Sequence, residues 1–384
     1  MIKIGWITKK DTIRIFCSPL FFLTVLAVIN LLIALFFVSY PLQLNGDAPS
    51  YLAAMQLISG QDYDHAIYGD QTEVMLKTRV LTTPLMLYAS LAAGYLVGSE
   101  YGGMFLINLV FYFLIIIVFY KLVCAVYENR LVATLATILF FTNYCLINYG
   151  TTYRTDLGGW FFFLLAAYFA IKYFKDSANS KFYFFSILAS SIGILFKECG
   201  ALGLVVLVIL ILFLPLPSGA KFKKIFGAVA LFFILPLFYQ FYFYWQFHFS
   251  YLDRYLLAVN VTASEIKSES GFSLSLLIKV LSWLFSFGWL IFFWGLYQEY
   301  KNLNWQRLKI FLALLPASLS FVVWPALTQR LAFVLVPLLA MISGFGLSQL
   351  KRKYLMAVLI LLYIFINYWI RNLSIPDLLH LINI

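Results

Sequence analysis

The chain is 384 residues long, 63% hydrophobic and only 11% charged, against roughly 25% charged in a soluble globular domain. With a mean hydropathy of +0.92 and 20% aromatic residues, this composition excludes a water-soluble domain, a disordered chain and a collagen-like repeat. The formal net charge of +11 would suggest nucleic-acid binding in a soluble protein. In a membrane chain it records the Lys and Arg that gather in cytoplasmic loops, so no nucleic-acid partner is expected.

Eleven apolar stretches are long enough to span a bilayer or nearly so, at about 16–40, 102–126, 131–149, 156–174, 182–196, 199–214, 225–247, 276–298, 310–325, 331–348 and 354–370. The predicted fold is therefore an all-α polytopic membrane protein, one transmembrane domain over 1–384, with a bundle of about 11 helices. The first stretch follows Lys3, Lys9, Lys10 and Arg14 but is too long for a signal-peptide core and has no A-x-A site after it, so it reads as a retained anchor. The run Pro84–Val97 is short and interrupted by Gly94, which suits an interfacial or re-entrant helix better than a span.

Charge tests that reading. With the N-terminus inside and 84–97 not spanning, the inward segments hold 18 of the 27 Lys and Arg residues, among them Lys221, Lys223, Lys224, Lys351, Arg352 and Lys353. Counting 84–97 as a span would invert every later loop against the positive-inside rule. The sizeable outward loops are then 41–101, with interfacial helices, and 248–275. Nearly all the acidic residues lie outside, and chemistry is expected there.

In the first loop, Asp47 is followed by Pro49 and Tyr51. The pattern allows a helix N-cap, a carboxylate that takes a proton from an acceptor, or both. Lys77 and Arg79 precede Thr83-Pro84, placed either to clamp a phosphate or to snorkel to headgroups. Asp62, Asp64, His65, Asp70 and Glu73 read as a hard-cation site or, preferably, as a solvated loop. Arg154 and Asp156 head the fourth span, where Asp156 either caps the helix or supplies a second carboxylate. Lys197-Glu198 falls between two short apolar stretches, where charge is costly and either pairs locally or faces a cavity. Arg330 stands in a short outward turn as a phosphate ligand or an interface anchor. Cys17, Cys124, Cys145 and Cys199 lack metal-ligand spacing and read as small packing residues, with a Cys145–Cys199 bridge as the weaker alternative.

Together these pieces resemble the GT-C superfamily of integral membrane glycosyltransferases, in the branch of protein O-mannosyltransferases and lipid A aminoarabinose transferases. Gly46-Asp47-Ala-Pro-Ser-Tyr51 through Gly60 is similar to that family's first outward loop. Arg79 with Thr83-Pro84-Leu85 matches its basic residue before a Pro-Leu helix, and Asp156 its second Asp. Arg330 to Pro337 matches its late Arg-Tyr…Pro segment, with Leu331 in place of the Tyr. The resemblance implies sugar transfer from a polyprenyl-phosphate-linked donor to an acceptor glycan, lipid or protein at the outer membrane face. It implies Asp47 and Asp156 as the catalytic pair, Arg79, Lys197 and Arg330 as holders of the donor phosphate, and Tyr51, Arg154 and Glu198 on the acceptor side or in support.

Two departures matter. Ala48 stands where many relatives carry a second acid, so no cofactor is expected and a divalent cation stays open. A C-terminal acceptor-recognition domain, present in some relatives, is not expected here. A transporter or flippase of a lipid-linked saccharide is the rival, although no inverted repeat is visible. An O-antigen-type polymerase would carry a large late outward loop. A catalytically inactive membrane component is the remaining alternative. The expected location is a bacterial inner membrane, with the N-terminus cytoplasmic and the site periplasmic.

Overall fold

The computed structural model describes residues 19–37, 47–61, 72–150, 152–256, 274–323 and 328–372. The candidate acidic run 62–70, Cys17 and the basic N-terminal residues lie outside the described residues. In chain order the helices are α1 (Pro19–Phe37), α2 (Ala48–Ser59), α3 (Glu73–Thr82), α4 (Pro84–Val97), α5 (Glu100–Tyr127), α6 (Arg130–Phe141), α7 (Tyr144–Gly150), α8 (Asp156–Lys175) and α9 (Ser180–Phe196). After a 3₁₀ turn at Glu198–Ala201 come α10 (Leu202–Phe213), α11 (Ser218–Phe247), α12 (Leu274–Phe285), α13 (Gly288–Lys301), α14 (Trp305–Ser318), α15 (Gln329–Ala332), α16 (Val336–Ser348) and α17 (Lys353–Asn372). No strand occurs among the described residues.

The chain is an integral membrane protein. Among the described residues six helices are long and apolar enough to cross a membrane, and eight if each bent pair counts as one span; α1, α6, α9 and the Glu198–Phe213 segment are shorter apolar helices. The expected tally of about eleven therefore rests on segments that are shorter or more broken than apolar runs suggest. The run 276–298 is not one straight span: α12 and α13 meet at an angle of 86°, with Ser286 at φ +44° in the break. The run 131–149 breaks at Thr142-Asn143. Asn143 Oδ1 accepts from the Cys145 amide (3.0 Å) while its Nδ2 donates to the Leu284 carbonyl (2.9 Å) and the Tyr363 hydroxyl (3.1 Å). A polar side chain inside the bundle thus ends one helix and ties its successor to two distant ones.

The core is built around α8 and α16. Helix α8 packs against α5, α9 and α10, and α16 against α6 and α13. Every residue from Val336 to Leu347 is buried, whereas α11 exposes Phe238, Phe241 and Trp245 as a lipid-facing helix would. Helices α3 and α4 are bent by 95° at Thr83, where Pro84 begins the second arm. Helix α4 then lies close along α5, because Gly103 faces Gly94: a Cβ on Gly103 would stand 2.2 Å from the Ser90 carbonyl oxygen.

Candidate active site

Asp47 immediately precedes α2, a helix fixed by Pro49 in its first turn and ended by Gly60 in the left-handed conformation (φ +72°). It occupies the N-cap position, yet its side chain caps no amide. The Ser50 hydroxyl donates to the Asp47 carbonyl (2.8 Å), and the carboxylate turns to two arginines instead. Asp47 Oδ1 accepts from Arg79 Nη2 (2.7 Å) and Oδ2 from Arg330 Nη1 (2.5 Å).

Arg79 reaches this point because α3 packs on α2. Its Nε donates to Ser50 Oγ (2.9 Å), its Nη1 to the Tyr51 hydroxyl (3.4 Å), and its guanidinium lies 4.8 Å from the Tyr51 ring centroid. Thr83 does not cap α4 by its side chain; its hydroxyl donates back to the Arg79 carbonyl (3.0 Å). Lys77, the other candidate phosphate clamp, points elsewhere, to Glu73 (2.9 Å) and the Phe247 carbonyl (3.1 Å).

Asp156 is the first residue of α8, and Thr155, not Asp156, holds its cap position. The preceding turn is held by Asn108, a lone amide in the apolar α5, which donates to the carbonyls of Thr152 (2.6 Å) and Arg154 (2.8 Å). Arg330 Nε approaches Asp156 Oδ2 at 2.8 Å, and the Asp156 side chain is only 4% exposed. One guanidinium therefore joins the start of α2 to the head of α8.

Lys197 breaks the run between α9 and the 3₁₀ turn with an extended backbone. It lies against α8 because residue 159 is glycine: a Cβ there would meet Lys197 Cβ at 2.4 Å and Cys199 Sγ at 2.6 Å. Its ammonium donates to the buried Tyr51 hydroxyl (3.0 Å). Of the two alternatives for Lys197-Glu198, both residues face one cavity, and Glu198 pairs at long range with Arg254 (2.6 Å). Arg254, which also lines that cavity, carries little signal in the sequence beyond its place in the 248–275 segment. Asn108 had a clearer signal, an amide inside an apolar run.

These groups line a cavity of about 670 Å³ that takes in Asp47, Arg79, Asp156, Lys197, Glu198, Arg254 and Arg330, with Trp160, Leu202 and Val334 among its apolar walls. Trp160 rests on Phe333 (ring centroids 4.0 Å apart). Tyr51 touches the cluster from behind through Arg79 and Lys197. Arg154 does not line the cavity. Cys145 and Cys199 are both free thiols, so the alternative of a bridge between them is set aside.

Burial alone would raise the Asp47 carboxyl, but Arg79, Arg330 and Lys197 outweigh it and hold its pKa well below the usual carboxylate range. The Tyr51 phenol is also pushed up by burial and pulled below its ordinary value by Lys197 and Arg79. Among the described lining residues four cations face three carboxylates, a balance that favours an anionic ligand. A divalent cation suits carboxylate oxygens not already satisfied. Here both Asp47 oxygens and Asp156 Oδ1 accept from guanidinium nitrogens, leaving Asp156 Oδ2 as the one carboxylate oxygen of the three-residue cluster without a hydrogen bond, and no group of three or more metal-type ligands converges among the described residues. The donor set does not fit a metal.

No protein-family model and no curated protein matches the sequence. Solved structures do. The chain is similar to ArnT from Cupriavidus metallidurans in the apo state, with a TM-score of 0.58 and 13% identity over 87% of this chain and 60% of that one. It is similar to an Archaeoglobus fulgidus oligosaccharyltransferase in complex with Zn and sulfate (TM-score 0.58, 15% identity, 92% of this chain and 52% of that one). A structure of the archaeal oligosaccharyltransferase AglB from the same organism, with an inhibitory peptide and a dolichol-phosphate, gives a TM-score of 0.57 at 15% identity, over 92% of this chain and 55% of that one. The chain thus spans about half to three-fifths of the length of the proteins it resembles. Across that span it shares the fold of these proteins.

Proposed function

We propose that the chain is a glycosyltransferase that moves a sugar from a polyprenyl-phosphate-linked donor to an acceptor lipid, glycan or protein at the outer face of the membrane. The observation that carries this reading is the Asp47 carboxylate clasped between Arg79 and Arg330 at the wall of a cavity with an excess of cations. One solved protein of the same fold, AglB, is seen in complex with a dolichol-phosphate and an inhibitory peptide. The distribution of Lys and Arg supports a site on the outer face of the membrane.

In this reading the isoprenoid tail lies against lipid-facing helices and the donor phosphate enters beside Arg330, Arg79 and Lys197. Arginine suits that task because its planar fork matches phosphate oxygens and stays charged. An incoming phosphate competes with Asp47 for the guanidiniums. As they turn to the phosphate, the carboxylate loses the cations that hold its pKa low and becomes a better base. The acceptor O–H or N–H then attacks the anomeric carbon, its proton passes to Asp47, and the carbon–oxygen bond to phosphate breaks. The leaving group is the polyprenyl phosphate, whose added charge the same cations stabilise. Asp156 holds Arg330 in place during this exchange.

The test is native mass spectrometry of the protein purified with its lipids, beside Arg330→Ala. Polyprenyl phosphate retained by the wild type and lost in the variant supports a donor site. Equal retention of bulk phospholipid by both rejects it. Turnover of a polyprenyl-phosphate sugar by the wild type, absent in Asp47→Asn, then separates a transferase from a flippase that uses the same cations.

A further inference from the structure

Asp47 and Asp156 come from distant parts of the chain and meet at one point, the arrangement by which two carboxylates commonly hold a hard divalent cation. The group between them is Arg330, which bonds Asp47 through Nη1 (2.5 Å) and Asp156 through Nε (2.8 Å). The second oxygen of Asp47 is taken by Arg79 (2.7 Å). The Arg330 side chain is 15% exposed and that of Asp156 4%, so the bridge is internal and little screened by solvent. At position 48, where another acid would add a ligand, the residue is a buried alanine.

From this geometry we infer that Arg330 is a built-in cation occupying a latent divalent-metal site formed by Asp47 and Asp156. Three features support it. The guanidinium remains charged at any pH the protein meets, so its neutralising role needs no supply of metal. Its nitrogens already bond both carboxylates, so a metal ion would have to displace them at the cost of an unpaired buried guanidinium. Finally, the described cavity wall carries one more cation than carboxylates, and a further dication would raise that excess. Removing Arg330 cancels the excess: three cations then face three acids, and two carboxylates lose their shared partner. Carboxylates and water are the ligand set that Mg²⁺ and Mn²⁺ accept.

The inference is independent of any sugar or acceptor, so its failure is distinguishable from failure of the transfer reading, which lipid retention tests separately. The experiment titrates Mn²⁺ into the full-length protein in detergent and follows the free-ion signal by electron paramagnetic resonance. Wild type, Arg330→Ala, Arg330→Gln and the double variant Arg330→Gln/Asp47→Asn are compared. Wild type is expected to bind no Mn²⁺ at millimolar concentration. At least one Arg330 variant is expected to bind one ion at least tenfold more tightly than wild type and to be restabilised against heat by it, and the double variant to lose both effects. Wild-type Mn²⁺ binding that Asp47→Asn abolishes would overturn the inference. Absence of Mn²⁺ uptake in every Arg330 variant that folds would overturn it equally. Should both Arg330 variants fail to fold, the wild-type and Asp47→Asn titrations still decide whether the two carboxylates already serve a metal.

Discussion

Arg330 and Asp156 stand 174 residues apart in the chain and 2.8 Å apart in space. The carboxylate begins α8 and the guanidinium belongs to α15, so the pair ties the first half of the bundle to its last third. Breaking a buried ion pair by removing one partner costs about 3–5 kcal/mol, because the survivor is left uncompensated. Asp156→Asn and Arg330→Ala are each expected to destabilise the protein on that scale. In the double variant the two costs should fall well short of their sum, since neither stranded charge remains. Thermal unfolding of the four proteins in one detergent measures the coupling. Strict additivity would show that the pair is not energetically linked.

Asp47 is the group whose loss should show in turnover before it shows in folding. Asp47→Asn keeps the shape of the residue and leaves Arg330 joined to Asp156, so the bundle should survive. Removing a general base typically costs about 10²–10⁴-fold in rate. Transfer from a polyprenyl-phosphate sugar should fall within that range while donor retention stays measurable. Turnover equal to wild type would remove Asp47 from the chemistry.

The same carboxylate sets an expectation for pH. Its folded pKa lies below the value of roughly 3.9 for an unfolded Asp. Its contribution to stability is therefore fully present above that unfolded value and is lost as the pH falls through the folded one. No acid loss traceable to Asp47 is expected at mildly acidic pH. In Arg79→Ala one of the two guanidiniums is gone, and the acid limb should move upward. An unchanged acid limb in pH titrations of stability for the two proteins would contradict the role given to Arg79.

Lys77 and Gly159 supply a contrast between a charge that looks important and a glycine that does not. Lys77 pairs with an exposed Glu73 side chain, a kind of contact worth about 0–1 kcal/mol, and lies outside the cavity lining. Lys77→Ala should leave turnover within about twofold of wild type. Gly159→Ala would drive a methyl group into Lys197 and Cys199, and overpacking of this kind costs about 1–3 kcal/mol. The segment carrying Lys197 must shift away from Tyr51, so donor affinity should drop. Lipid retention and thermal stability of the two variants give the comparison.

Much of this arrangement was legible in the sequence, for definite reasons. Apolar runs of bilayer length announce helices whatever their packing, and Asp47-Ala-Pro and Pro84 mark helix starts by local chemistry. Ionisable residues beside apolar runs are few, so Arg79, Asp156, Lys197 and Arg330 stood out before their contacts were visible. Pairing was not legible. Glu198 finds Arg254 instead of its neighbour Lys197, and Lys197 finds Tyr51, because those distances are set by how α2, α8 and α9 pack. Asp47 at an N-cap position that it does not cap shows the same limit: local sequence offers a partner, and tertiary contacts supply two stronger ones. The bend between α12 and α13 was hidden for another reason. Apolar residues run on through both sides of Ser286-Phe287, and the break is a matter of backbone direction.

Because its side chains come from α2, α3, α8, the α9 break and α15, the cluster has an assembly history fixed by the order of synthesis. Asp47 and Arg79 leave the ribosome early and can meet as soon as α2 and α3 have formed. Asp156 must wait through some 170 further residues before Arg330 arrives, and until then its carboxylate needs water or a chaperoning contact. A nascent chain halted before α15 would hold an open, hydrated pocket without its bridging cation. Closure of that bridge therefore has to wait for α15, and a product truncated before it would be left without one wall of the cavity.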